Sequence, residues 1–301
     1  MKLIMECLDC HVQQMKSAMN MVQLDDTSRY TLFQKLLVEI GSADINMTPP
    51  EMAQRLYDIV TRETGSDDLF AGIKKESNAT ALSVLNEVRS MVDTGTDPLK
   101  DALKLAASGN IIDYGARRGV TRSEILESVQ HALEGDVDQH FYQSFKETAE
   151  RAKQILYVGD NSGEIVFDRV LLEQLPLEKV RFAVRGKPII NDATRIDAKT
   201  AGIDQLVSVL DTGDNTPGIN LERSSSEFLD AFGDADMIIF KGQGNLETMF
   251  DEDLKGYVKP GVKLFFILKV KCLYVAQSIG KDIGETVFMG RDGDGCRGSN
   301  G

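Results

Sequence analysis

From the start of the chain to about residue 151, apolar side chains recur three and four positions apart, and β-branched runs are few. That period puts them on one face of an α-helix, so helices are predicted over residues 8–22, 28–40, 73–92, 98–107, 121–133 and 137–153. Another helix is announced by its start. In Thr48-Pro49-Pro50-Glu51 a capping hydroxyl is followed by proline at the first helical position and an acidic reply three residues on. Met52, Leu56 and Ile59 then share a face until Gly65 ends the run.

Near residue 154 the pattern changes to short apolar runs bounded by Gly, Asp or Lys and separated by helix-length segments. The runs cover 155–159, 180–184, 205–210, 237–241 and 262–269. Strands alternating with helices predict βαβ crossovers, hence an α/β fold with a Rossmann-like, mostly parallel sheet covered on both faces. The expected organisation is an all-helical N-terminal domain at 1–150 and an α/β domain at 151–301. No Pro- or Ser-rich linker separates the two, so they are free to pack as one body. The stretch from Arg291 to Gly301, rich in Gly and polar residues, is expected to fray.

With 301 residues, 42% of them hydrophobic, the chain has enough apolar surface for a sizeable core. The apolar run from Val262 to Leu268 falls far short of the roughly 20 residues a membrane span needs. At the start, Glu6 interrupts the chain before a signal-peptide core develops. A cytoplasmic protein without a membrane partner is expected. The formal charge of −13, with no cluster of Lys and Arg, argues against nucleic acid and requires local cations around any anionic substrate. Cys7 and Cys10 form a lone CxxC. It could be half of a zinc site with His11, but no second ligand pair completes it, and reduced thiols on one helix face are expected.

Ligands of an open parallel sheet bind beyond the carboxyl ends of its strands. Here those ends carry Gly159-Asp160-Asn161-Ser162-Gly163-Glu164, then Arg185-Gly186-Lys187 with Asn191-Asp192, then Asp211-Thr212-Gly213, Lys241-Gly242-Gln243-Gly244-Asn245 and Lys269-Val270-Lys271. If the first strand is central, flanked by the second and the fourth, Asp160, Asp192 and Lys241 surround one point. Asp160, Asn161 and Asp192 offer two carboxylates and an amide oxygen, a hard ligand set suited to Mg²⁺ or Mn²⁺. A helix starting near Ser162 would aim its free N–H groups at an anion in the same crevice.

Other chemistries fit less well. The Gly242-Gln243-Gly244 segment lacks a third glycine and follows the wrong strand for a dinucleotide fingerprint. His11, His131 and His140 all lie in the helical half and no GxSxG is present, so no nucleophilic constellation competes, and each histidine is expected to be an ordinary polar helix residue. An S-adenosylmethionine-dependent methyltransferase could use the same rim but needs a Gly-rich loop where Asp160-Asn161 stands. A non-catalytic metabolite-binding module would hold a phosphate without turning it over.

Taken as a set, Gly159 to Glu164, Asn191-Asp192, Lys241 to Asn245 and Lys271-Cys272 resemble the metal-dependent damage-control phosphatase family, in its short archaeal and bacterial form. The resemblance extends into the helical half through Cys7-Leu8-Asp9-Cys10 with Gln14, Asp68-Leu69-Phe70 with Lys75 and Asn78, and Ala107 to Asp113. Leu69 departs from the proline that many members carry there. The resemblance implies a helical domain over a Rossmann-like domain and metal-dependent hydrolysis of sugar phosphates or damaged phosphometabolites, with Mg²⁺, Mn²⁺, Co²⁺ or Ni²⁺ held by Asp160, Asn161 and Asp192. It further implies Lys241 as a phosphate-binding cation and Asn78 and Asn110 as contributions from the helical half. Ser162, Gly244, Asn245 and Lys271 complete the expected contacts to substrate.

Overall fold

The computed structural model describes residues 1–108 and 121–293. Among the described residues seven helices come first: α1 (Met5–Ala18), α2 (Asp26–Gly41), α3 (Pro49–Thr64), α4 (Ala71–Asp93), α5 (Pro98–Ala107), α6 (Arg122–Glu134) and α7 (Gln139–Arg151). The predicted cap of α3 is present. Thr48 accepts from the Glu51 N–H, the Glu51 carboxylate accepts from the Thr48 N–H, and Gly65 closes the helix in the left-handed conformation at φ 68°.

The remainder alternates: β1 (Ile155–Val158), α8 (Glu164–Leu172), β2 (Val180–Val184), α9 (Arg195–Thr200), β3 (Ser208–Asp211), α10 (Ser226–Asp234), β4 (Met237–Lys241), α11 (Gln243–Met249), β5 (Lys263–Lys269), α12 (Leu273–Ile279) and β6 (Thr286–Asp292). The six strands form one sheet in the order β3-β2-β1-β4-β5-β6. All neighbours run parallel except β5 and β6. β1 is therefore central between β2 and β4, as the strand-end argument required.

Two details differ from the sequence expectation. Ile203–Gln205 forms a 3₁₀ turn, so β3 starts later, at Ser208. Arg291 and Asp292, expected to fray, close the antiparallel edge strand β6, whose register pairs Asp292 with Lys263. An edge strand needs only one covered face and carries charge to deter further pairing, so its pattern is too mixed to read as a strand beforehand.

Alternate residues of each central strand serve opposite faces. Ile155 and Tyr157 of β1, with Met237 and Ile239 of β4, join a core shared with α4–α8. Leu156, Val158, Ile238 and Phe240 join the core on the other face, with α10–α12. The secondary structure changes character at residue 151, yet helices α4–α7 and the sheet are buried in one continuous core. A third cluster gathers α1–α3 around Met15, Leu36, Met52 and Leu56, and Ile189 from the loop after β2 plugs into it. Polar bridges tie α3 to the loop after β3: Gln54 donates to Asn215 (2.9 Å), Asn220 donates to Glu51 (2.9 Å), and Arg223 donates to Gln54 (2.8 Å). The α1–α3 cluster is thus anchored above the carboxyl ends of the strands. Among the described residues no helix is long and apolar enough to cross a membrane.

Phe145 of α7 is fully buried and meets Phe265 of β5 edge-on at 5.1 Å between ring centroids. Phe145→Ala is expected to cost about 3–5 kcal/mol. Because helix and sheet share that core, far-UV circular dichroism and tyrosine fluorescence should report a single denaturant transition at lower midpoint. Two separated transitions would show that α4–α7 unfold apart from the sheet.

Candidate active site

The turn after β1 and the loop after β2 are zipped together along their backbones. Asn161 and Asp192 form an isolated antiparallel bridge, Ser162 N–H donates to Asn191 O at 2.9 Å, and Ala193 N–H donates to Asp160 O at 2.8 Å. This lays Asp160, Asn161 and Asp192 side by side at the carboxyl ends of adjacent strands. The loop is held under strain: Ile190, a β-branched residue, sits at φ 44°, a conformation that costs about 1–3 kcal/mol.

Arg185, at the end of β2, lies beneath both carboxylates and is 1% exposed. Its Nε donates to Asp192 Oδ2 at 2.7 Å, one Nη donates to Asn245 at 3.0 Å, and the same nitrogen lies 3.8 Å from Asp160 Oδ1. Even so, the carboxylates are under-compensated. Burial, followed by the charges of Asp192 and Glu164, pushes the Asp160 carboxyl well above the usual range. Burial also raises Asp192, with Arg185 opposing it. Two buried acids that resist ionising together form a site that a cation stabilises. Asn161 donates to Asp160 Oδ2 at 2.8 Å, so its amide oxygen is left for a ligand role. Among the described residues no three His, Cys, Asp or Glu side chains form a ready-made metal cage. Two carboxylates and one amide fit a small hard cation that keeps several waters, and the three include no sulfur or imidazole to favour zinc.

Gly242, at the end of β4, makes the geometry possible. It adopts φ 80°, and a Cβ there would land on the Asp160 carboxylate. The glycine is required twice over, for its conformation and for its missing side chain.

Lys241 is placed differently from expectation. It shares the strand face of Met237 and Ile239, which points under α8, and it is fully buried. Its ammonium donates to Asp168 at 2.6 Å and Glu164 at 2.9 Å, so it is committed to the interior and unavailable to a phosphate. That pair holds Lys241 charged far up the pH scale, and burial lifts Asp168 to about 6 despite Lys241. Asn78 is likewise a fastener. Its amide donates to Asp197 at 2.9 Å and its oxygen accepts from Gly163 N–H at 2.7 Å, while Lys74 bridges Asp68 and Asp197 at 3.1 Å each. The 68–78 segment therefore clamps α4 to the site loop. Asn245 links Arg185 to the backbone of Gly159 and Lys241. The Ser162 and Gly163 N–H groups are both taken by protein acceptors and α8 starts at Glu164, so its N-terminus does not offer those groups to an anion. Asn110 lies outside the described residues.

Above the paired aspartates opens a cavity of about 660 Å³. Of the expected residues, Asp160, Asn161, Asp192, Gly244 and Lys271 line it. Lys271 is the cation on this side, and its charge lowers the pKa of both aspartates. The α1–α3 cluster supplies the opposite wall with Cys7, Cys10, His11, Gln14 and Pro50, and Glu247, Gln243 and Cys272 complete it. Arg185 and Glu247 had no assigned role in the sequence, and His11 was expected to be an ordinary polar helix residue. Arg185 carried a usable signal, its place at a strand end; Glu247 and His11 depended on helix orientation that no local pattern contains. Cys7 and Cys10 do share a helix, but they face the cavity together with Cys272.

The chain is similar over residues 3–287 to the family model described as the damage-control phosphatase ARMT1-like domain. It is 34% identical to an uncharacterized protein of Methanocaldococcus jannaschii, covering 95% of this chain and 94% of that one. It is 32% identical to a damage-control phosphatase of Pyrococcus horikoshii, covering 96% and 98% respectively. The crystal structure of a DUF89 family protein from Pyrococcus horikoshii superposes with a TM-score of 0.86 at 31% identity, covering 96% of this chain and 99% of the other.

Glu247 generates a pH prediction. Burial pushes its carboxyl up to about 7, against hydrogen bonding from Gln243 and the charge of Lys271. Its folded-state value exceeds its unfolded one, so the stability it contributes is complete below about pH 4.5 and is lost as pH rises through about 7. Glu247→Gln removes that loss. The variant is expected to gain about 2–3 kcal/mol over the parent between pH 5 and pH 8, read as denaturant midpoints at each pH. A pH-independent difference would contradict this account.

Proposed function

The chain belongs to the damage-control phosphatase ARMT1-like domain family and is a phosphatase, and from that premise we propose that it hydrolyses small phosphorylated metabolites with a divalent cation held by Asp160, Asn161 and Asp192. The observation that carries this reading is the pair of buried aspartates, opposed by Arg185 from below and by Lys271 from the cavity side, with their ionisation still disfavoured. A cation resolves that imbalance. Mg²⁺ or Mn²⁺, with Co²⁺ or Ni²⁺ as substitutes, would supply Lewis-acid polarisation of the phosphoryl group and make a water more acidic.

The protein's own residues do the rest. Arg185 and Asn161 hold the two carboxylates in position, and Lys271 offsets phosphate charge in a chain whose overall field repels anions. The α1–α3 wall covers the crevice, which strengthens each of these interactions by limiting water. Lys241, through Asp168 and Glu164, fixes the start of α8 and hence the turn that carries Asp160. A methyltransferase would need small residues where Asp160 and Asn161 stand, and nothing in the cavity favours that alternative.

Hydrolysis of p-nitrophenyl phosphate and sugar phosphates is expected to require Mg²⁺, Mn²⁺, Co²⁺ or Ni²⁺ and to stop on chelation. Asp160→Ala and Asp192→Ala should each lose more than about 100-fold in kcat/KM, exceeding the 10–100-fold typical of a metal site's outer partners. Gly242→Ala, which adds one methyl group against Asp160, should approach the same loss. Turnover that persists in chelator would remove the cation from this account, and no turnover with any metal would remove the whole of it.

A further inference from the structure

Glu247 lines the same cavity as Asp160 and Asp192 but takes no part in holding them. Its place follows from α11. Gly242, the residue before that helix, lies against the Asp160 carboxylate, so the helix starts one residue from the site. Glu247 comes one turn after Gln243, about 6 Å further along the axis and on the same face. The two side chains meet there: Gln243 Nε2 donates to Glu247 Oε1 at 3.0 Å.

The Gln243 amide cannot be turned over, because its oxygen accepts from the Lys271 N–H at 2.8 Å and a backbone N–H only donates. Glu247 Oε1 is therefore fixed as an acceptor, and a proton on this carboxyl group sits on Oε2. Among the described residues Oε2 has no hydrogen-bond partner, and it keeps surface open to solvent in the cavity wall. Burial keeps such a proton available: it raises the carboxyl to about 7, against the hydrogen bond from Gln243 and the charges of the amino terminus and Lys271. The charge of Lys271 also acts on Asp160 and Asp192, so a phosphate drawn to it lies among all three carboxyl groups. A sugar alkoxide is a poor leaving group unless it is protonated as it departs, which is work for a positioned acid.

We propose that Glu247 is the general acid of the reaction, its Oε2–H donating to the ester oxygen that leaves phosphorus. The inference rests on the phosphatase reading of Asp160 and Asp192 and adds the group that protonates the departing alcohol. Water adds to phosphorus from the side of the paired aspartates and yields one proton to solvent. The bond from phosphorus to the leaving oxygen breaks with its electron pair on that oxygen, which takes the Glu247 proton and departs as the alcohol. Glu247, left as a carboxylate, regains a proton from solvent, so ester and water become alcohol and phosphate. Gln243 is the positioning residue: by occupying Oε1 it turns Oε2 to the cavity.

The test compares kcat/KM of the full-length, Mn²⁺-supplemented parent and Glu247→Gln on a hexose phosphate, phenyl phosphate and p-nitrophenyl phosphate. p-Nitrophenolate departs without a proton, phenolate gains from one, and a sugar alkoxide needs one most. Glutamine keeps the size of the side chain and the contact with Gln243 but has no proton to transfer. The loss in Glu247→Gln should therefore grow with the basicity of the leaving oxygen. On hexose phosphate it is expected to reach about 100-fold or more, the low end of what a positioned acid contributes, while p-nitrophenyl phosphate turnover changes little. That retained turnover also shows that the variant is folded with its site intact. A loss that is the same on every ester, or no loss on the more basic leaving groups, would overturn the assignment. So would a parent that cleaves p-nitrophenyl phosphate and neither of the others, since it would then have no acid to offer. Failure of the phosphatase reading looks different, because then the parent would hydrolyse none of the three.

Discussion

The buried contact between Arg185 and Asp192 is the interaction on which the rest of the site turns. Around it, and reaching back beneath α8, Asp160, Asp192, Glu164, Asp168 and Glu247 are withdrawn from water, while Arg185, Lys241 and Lys271 are cations near them, joined by the amino terminus beside Glu247 and by Lys74, which is paired with Asp68 and Asp197. Ionised carboxylates are costly in a low dielectric unless paired. Lys241 is consumed by Glu164 and Asp168, and Arg185 is shared between two aspartates. The surplus negative charge therefore collects at the mouth of the sheet, where the proposed cation and a phosphate would enter as a compensating pair.

This distribution assigns different work to apparently similar residues. Arg185 and Lys241 both end strands and both look like phosphate binders. Each is instead buried and holds acids in place, Arg185 beneath the site and Lys241 beneath the helix that follows it. Lys271, carried by the turn after β5, is the cation that shares a cavity with the paired aspartates. Strain follows the same logic: Ile190 at positive φ and Gly242 against the Asp160 carboxylate are local costs, sustained by the bridges between the two site loops.

The α1–α3 cluster converts a crevice into a chamber. Its core is largely its own, yet Ile189 enters it from the loop that carries Asp192, and Gln54 and Glu51 bind the loop after β3. Movement of this cluster would reshape both the chamber wall and the aspartate loop.

Much of this was legible in the chain itself. The switch from helical to alternating periodicity announced the sheet, continuous apolar runs marked parallel strands buried on both faces, and Asp160, Asn161 and Asp192 stood at strand ends because crossover topology places ligand sites there. Those features are local or follow from one topological rule. The commitment of Lys241 followed from strand parity combined with what packs on that face, and only packing could supply Asp168 as its partner. The clamp made by Asn78 and Lys74, the antiparallel β6, and the placing of His11 and Glu247 in the lining of one cavity were decided by tertiary structure, because charge compensation and hydrogen bonding act through space between residues whose separation along the sequence carries no signal.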